Sequence, residues 1–98
     1  MNFKLKFTVK ALEHLERLKN DPAKKAVLKA VLKTLAFMEM NLRHPSLNTH
    51  EYYAIKGPDG EKVYEAYAQQ KTPGAYRIFW CYGPGKDVIS IIAIMPHP

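Results

Sequence analysis

One cysteine, Cys81, is all the thiol chemistry the chain contains, so no internal disulfide can form. Its place inside an apolar run fits a reducing compartment, and a cytoplasmic location is expected. Long apolar runs are also missing. The most apolar stretch, Val88 to Met95, falls far short of the roughly 20 residues that span a bilayer and suits a buried strand instead. Lys4, Lys6 and Lys10 interrupt the N-terminal apolar residues before a secretory core of about 7–15 residues could build, so neither a signal peptide nor a membrane association is expected. Acidic residues are scarce. Against 15 Lys and Arg there are 9 Asp and Glu, a net charge of +6 that favours polyanions or an acidic protein partner without choosing between them. No repeat, low-complexity tract or linker divides the 98 residues, and residues 1–98 read as one domain, large enough for one core.

Phe3, Leu5, Phe7 and Val9 alternate with Asn2, Lys4, Lys6 and Thr8, the two-residue period of a strand with one buried face. From Ala11 the period changes. Leu12, Leu15 and Leu18 recur at three-residue spacing, a short first helix that Asn20-Asp21-Pro22 stops. Asp21 is placed to cap a second helix with Pro22 at its first position, where the missing N–H costs nothing. Val27, Leu28, Val31, Leu32, Leu35 and Met38 form its apolar stripe, while Lys25, Lys29 and Lys33 make a four-residue ladder away from it. The pattern fades near Leu42, and His44-Pro45 should end the helix, because a residue before proline is pushed out of the α region.

Beyond Thr49 the chain is strand and turn: Tyr52 to Ile55, Gly57-Pro58-Asp59-Gly60, Val63 to Gln70, a reversal at Pro73-Gly74, Tyr76 to Tyr82, Gly83-Pro84-Gly85, and Val88 to Met95. Neither Gly57-Pro58-Asp59-Gly60 nor Gly83-Pro84-Gly85 has the length or the following helix of a phosphate loop. Segregated helices and strands give an α+β class, in β-α-α-β-β-β(-β) order, with both helices on one face of a mainly antiparallel sheet. The last strand, apolar on both faces, suits a central position, and the first strand could lie beside it.

Strand parity groups the residues able to do chemistry. If Tyr76, Ile78 and Trp80 face the helices, Arg77 faces away. Tyr64, Ala66 and Ala68 then suit the buried face, sending Val63, Glu65, Tyr67 and Gln69 to the open one, and Glu65, Tyr67 and Arg77 become neighbours across adjacent strands. Taken alone, Arg77 and Glu65 could also be a surface ion pair of little energetic weight.

The element order, the strand Tyr76-Arg77-Ile78-Phe79-Trp80 and the closing run Ile89 to Pro98 resemble the RelE/ParE toxins of bacterial toxin–antitoxin systems over nearly the whole chain. The resemblance implies one of three roles: ribosome-dependent cleavage of mRNA, gyrase inhibition, or a homologue with neither activity. It also implies a cognate antitoxin as partner, with the ribosome and mRNA as targets in the first case. Carried over by position, the working residues are Glu65, Tyr67, Arg77 and His97. Metal-free RNA cleavage needs a base for the ribose 2′-hydroxyl, a cation for the phosphate and an acid for the leaving oxygen. Glu65 is the candidate base, Tyr67 a stacking platform or proton donor, Arg77 the phosphate fork and His97 the acid.

Some members carry lysines where Glu65 and Tyr67 stand, and many continue past the last strand, whereas this chain stops at Pro98. The carboxylate on Pro98 is expected to attract the His97 imidazolium. Lys25, Lys29, Lys33 and Lys71 are candidate contacts to ribosomal RNA or an acidic antitoxin, the ladder being also an ordinary solvated helix face. His14, His44, His50 and Cys81 lack metal-ligand spacing, so neither a metal site nor a cofactor is expected.

Overall fold

Thr8 is where the opening strand becomes a helix. The computed structural model describes residues 2–97, in the order β1 (Lys4–Phe7), α1 (Val9–Asn20), a 3-10 turn (Pro22–Lys24), α2 (Lys25–Met40), a second 3-10 turn (Pro45–Leu47), β2 (His50–Lys56), β3 (Lys62–Tyr67), β4 (Tyr76–Tyr82) and β5 (Val88–Pro96). Thr8 Oγ1 accepts the Ala11 N–H at 3.1 Å and so caps α1.

The three-residue leucine spacing drifts around a 3.6-residue helix, and only part of it stays on the core side. Ala11, Leu15 and Leu18 are buried, whereas Leu12 is 47% exposed. The small Ala11 lets α1 approach β5 closely. Asp21 caps as expected, accepting the Ala23 N–H at 2.9 Å, but what it caps is the first 3-10 turn, with α2 proper beginning at Lys25. On α2 the buried residues are Val31, Thr34, Leu35 and Met38, and Leu32 faces outward. The helix ends at Met40, before the expected stop at His44. There the Asn41 N–H bonds Phe37 O at 2.7 Å and the backbone at Asn41 turns extended.

The sheet runs β1-β5-β4-β3-β2, with β1 and β5 parallel and the other three pairs antiparallel. The apolar β5 is thus an interior strand with β1 at its side, though β4 holds the middle. β1 is short and covers only half of β5. Where it stops, the N-terminal half of α1 takes over the exposed edge: the Thr8 N–H bonds Ile91 O and Thr8 Oγ1 donates to Ile92 O, both at 3.0 Å.

Two cores result. The main one joins Ala11, Leu15, Val31, Leu35 and Met38 to Ala66, Ile78, Trp80, Ile91 and Ile94 on the helix side of the sheet. A smaller one, Val63, Phe79 and Ala93 with Tyr52, Ile55, Ile92 and Met95 around it, closes the other side. That second face is therefore not the open surface expected from parity. It has apolar side chains of its own to bury, and Val63 and Phe79 are wholly shielded.

The two faces depend on a bulge. Phe79 pairs with Ala93 and Trp80 with Ile91, leaving Ile92 as an extra residue in β5. Because side chains alternate, that one residue reverses the parity of everything after it. Ile89, Ile91 and Ile94 all reach the main core, while Ala93 and Met95 point to the other face, and continued past the strand the same alternation carries His97 there too.

A buried carboxylate between two imidazoles

Glu65, near the end of β3, stands opposite His50 on β2 and Phe79 on β4, and Tyr67 stands opposite Arg77. Because neighbouring strands are antiparallel, the start of β2, the end of β3, the start of β4 and the end of β5 meet at one end of the sheet. Four strands thus deliver the site. Glu65, Tyr67, Arg77 and His97 come together there as expected, but not on an open surface.

Glu65 is wholly buried, a position that would cost several kcal/mol for an unpaired carboxylate. Its two oxygens are shared out. His97 Nδ1 lies 2.5 Å from Oε2, and His50 Nε2 lies 2.6 Å from Oε1 in a charge contact whose geometry is not that of a hydrogen bond. Arg77 Nε is 3.9 Å from Oε2 and has no hydrogen-bond partner among the described residues. The carboxylate therefore sits among three groups able to carry positive charge.

Arg77 is itself only 9% exposed. Its Nη1 donates to Gln69 O at 2.5 Å and to Tyr76 O at 3.3 Å, and the guanidinium lies 3.6 Å from the centroid of the Tyr67 ring. One face of Tyr67 is thus taken by the arginine, and His50 meets that ring edge-on at 5.6 Å. His97 is held by its backbone, whose N–H bonds Ala75 O at 3.0 Å, and its ring meets Tyr52 edge-on at 6.3 Å. With Nδ1 turned to Glu65 and the side chain 47% exposed, Nε2 is the nitrogen left for solvent. Pro98, whose carboxylate was expected to act on this ring, lies outside the described residues.

The lysine ladder is elsewhere. Lys25, Lys29 and Lys33 are exposed on α2, whose apolar side covers the sheet face opposite Glu65, so the cluster and the ladder lie on opposite sides of the molecule. Lys71 is nearer the site, exposed in the β3–β4 turn two residues beyond Gln69. His50 belongs to no motif that marks it in the sequence beyond its lack of metal-ligand spacing, and its one signal is a β-strand histidine at the start of an aromatic run. Among the described residues no three His, Cys, Asp or Glu side chains are arranged to hold a metal ion, and no helix is long and apolar enough to cross a membrane.

No protein-family model matches the chain, and no curated protein matches it in sequence. Solved structures do match in shape. A YoeB/ParE toxin from Agrobacterium tumefaciens superposes with a TM-score of 0.72 at 9% identity, over 98% of this chain and 100% of that one. The fold is that of the RelE/ParE toxins. A RelE–RelB complex from the archaeon Pyrococcus horikoshii gives a TM-score of 0.64 at 18% identity over 98% and 96% of the two chains. A YoeB dimer from Staphylococcus aureus gives 0.63 at 14% identity over the whole of both. The RelE/ParE fold therefore accounts for every element from β1 to β5, including the two-helix layer and the strand end on which the charged cluster stands.

Proposed function

We propose that this protein is the toxin of a toxin–antitoxin pair and that it cleaves ribosome-bound mRNA without a metal ion. The observation that carries the reading is the convergence of Glu65, Arg77 and His97 from three strands upon one partly shielded spot. Stability alone gives little reason to keep a wholly buried carboxylate, since well-packed apolar residues of similar volume are often as stable or more so. The basic surface, net charge +6, suits both an RNA target and an acidic antitoxin.

His97 is the group that meets the RNA in this mechanism. Its Nε2 takes the proton of a ribose 2′-hydroxyl, the 2′-oxygen bonds to the adjacent phosphorus, the bond from phosphorus to the 5′-oxygen breaks, and the same proton passes from Nε2 to that leaving oxygen. The products are a 2′,3′-cyclic phosphate and a 5′-hydroxyl, and the imidazole returns to its neutral form. Glu65, screened from the ribose by the rings that cover it, acts through His97 as the carboxylate of a catalytic triad acts through its histidine. Arg77 supplies positive charge for the phosphate, and Lys71 adds to it at the rim.

A second reading is a gyrase inhibitor, or an inactive homologue that binds protein, on the same fold. It is favoured by the state of Arg77, whose fork is already partly taken up by Gln69 O and the Tyr67 ring. Induced expression in bacteria separates the readings. The nuclease predicts growth arrest with cut transcripts, relieved by Arg77→Ala, whereas arrest with broken DNA and intact transcripts would establish the gyrase alternative. Growth without arrest would leave only the binding protein.

A further inference from the structure

The second imidazole of the cluster has no part in that mechanism, yet it is as firmly held as the first. His50 Nδ1 lies 3.0 Å from the carbonyl oxygen of Asn48, and its Nε2 lies 2.6 Å from Glu65 Oε1. A carbonyl oxygen and a carboxylate oxygen each repel a ring-nitrogen lone pair, so a ring placed against both carries a proton on each nitrogen, donating to Asn48 O through Nδ1 and making a charge contact with Glu65 Oε1 through Nε2. With neither nitrogen free for substrate, His50 is no acid or base for RNA. Building on the nuclease reading, we propose that His50 is a positioning residue, a cationic clamp that occupies Oε1 of Glu65 and so reserves Oε2 for His97.

The anchor of the clamp is well made. Asn48 adopts a left-handed conformation, φ 48°, at the end of the second 3-10 turn, where its N–H bonds Pro45 O at 3.1 Å. Asparagine tolerates that region better than most residues because its short polar side chain can bond locally. Gln70 Nε2 bonds Ser46 O at 3.3 Å, tying this turn to the β3–β4 loop. His50 then stands opposite Glu65 in the β2–β3 register, so its approach to Oε1 is set by backbone pairing and by one carbonyl.

The effect on His97 follows from charge. The groups facing Glu65 are His50 from β2, Arg77 from β4 and His97 beyond β5, with Tyr67 and Tyr52 as uncharged neighbours. While the His50 cation lies against Oε1, the carboxylate cannot turn, and Oε2 stays with His97 Nδ1. Without that cation Oε1 has no partner, the carboxylate is free to rotate, and the contact that aims His97 Nε2 at substrate is lost. The clamp thus keeps His97 correctly turned.

The test compares a neutral variant with a charged one. His50→Gln keeps a polar side chain but carries no charge, whereas His50→Lys keeps a cation for Oε1. Cleavage of a defined message on programmed ribosomes, in single turnover, is expected to be within about threefold of wild type for His50→Lys. For His50→Gln the rate constant should fall at least about tenfold at unchanged half-saturating ribosome concentration. A merely structural role would lower both variants together.

Equal rates for the two variants, in protein that unfolds at the wild-type midpoint, would overturn the clamp while leaving the nuclease standing. Wild-type protein that cuts no ribosome-bound message would remove both. Independently of activity, ring nitrogen NMR shifts of His50 should report protons on both nitrogens at the pH used for cleavage, and a neutral tautomer there would overturn the clamp directly.

Discussion

His14 Nδ1 accepts a hydrogen bond at 3.0 Å from the backbone N–H of Ile94, 80 residues further along the chain. The bond lies where β5 has run past the end of β1 and its edge would otherwise face α1 with an unpaired donor. Accepting at Nδ1 requires that nitrogen to be unprotonated. Partial burial, then the neighbouring Lys10 and Arg17 charges, lower the His14 pKa from its ordinary value, against the opposing pull of Glu13.

A pH dependence of stability follows. A histidine whose folded pKa lies below its unfolded one binds protons more readily in the unfolded chain, so its contribution is complete above about 6.5 and is lost as pH falls from there toward the folded value. Replacing His14 by Leu leaves the Ile94 N–H without a partner, a loss of about 1–2 kcal/mol at about pH 8. In urea unfolding the gap between wild type and variant should shrink steadily toward about pH 5. A gap that stayed constant would mean that the neutral imidazole is not what holds the strand edge.

Much of this architecture was legible because it depends on local periods. The alternation of β1, the turn residues of the later strands and the class of the fold need only side-chain spacing and turn chemistry. The neighbourhood of Glu65, Tyr67 and Arg77 came from parity alone and is correct. What could not be read was set by long-range pairing. Burial of Glu65 depends on His50 and His97 arriving from strands on either side, and His97 reaches that face only because the Ile92 bulge reverses the parity of β5. Leu12 and Ala11 show a subtler failure: a helix that must lie close to a strand buries its small residue and turns a leucine outward.

Thr8 does two jobs with one hydroxyl. Its Oγ1 accepts the Ala11 N–H and donates to Ile92 O, so capping of α1 and closure of the β5 edge meet in a single side chain. Thr8→Ala is expected to lose about 2 kcal/mol, above the roughly 1 kcal/mol of an ordinary cap, and Thr8→Ser well under half of that. Denaturant midpoints of the three proteins give the answer, and a threonine no better than alanine would show that water replaces both bonds.

Trp80 is the single tryptophan and is buried, with no partner for its Nε1 among the described residues. Tyr64 stacks on it at 5.0 Å and Tyr82 meets it edge-on at the same distance. Trp80→Ala should cost about 3–5 kcal/mol, as truncation of a large buried aromatic does. Trp80→Phe should cost under about 1.5 kcal/mol, because the smaller ring also removes a buried donor whose lack of a partner costs about 1–3 kcal/mol. Circular dichroism is the suitable probe, the variant having lost the fluorophore. A penalty for Phe as large as that for Ala would place a hidden partner on the indole nitrogen.

Tyr67 separates two ways in which a tyrosine can serve the proposed reaction. If its hydroxyl gave a proton, Tyr67→Phe would abolish cleavage. The contact Tyr67 makes is through its ring: the Arg77 guanidinium lies over its face at 3.6 Å, fixing the direction of a cation whose Nη1 is pinned to Gln69 O. Loss of the phenol leaves that stack intact, and the interaction with phenylalanine is only moderately weaker. Tyr67→Phe should therefore cleave ribosome-bound message within about threefold of wild type, while Tyr67→Ala, which frees the arginine to swing, should fall by about 10–100-fold. Single-turnover rates at one saturating ribosome concentration distinguish the cases, and a phenylalanine variant as inactive as the alanine one would transfer the role from the ring to the hydroxyl.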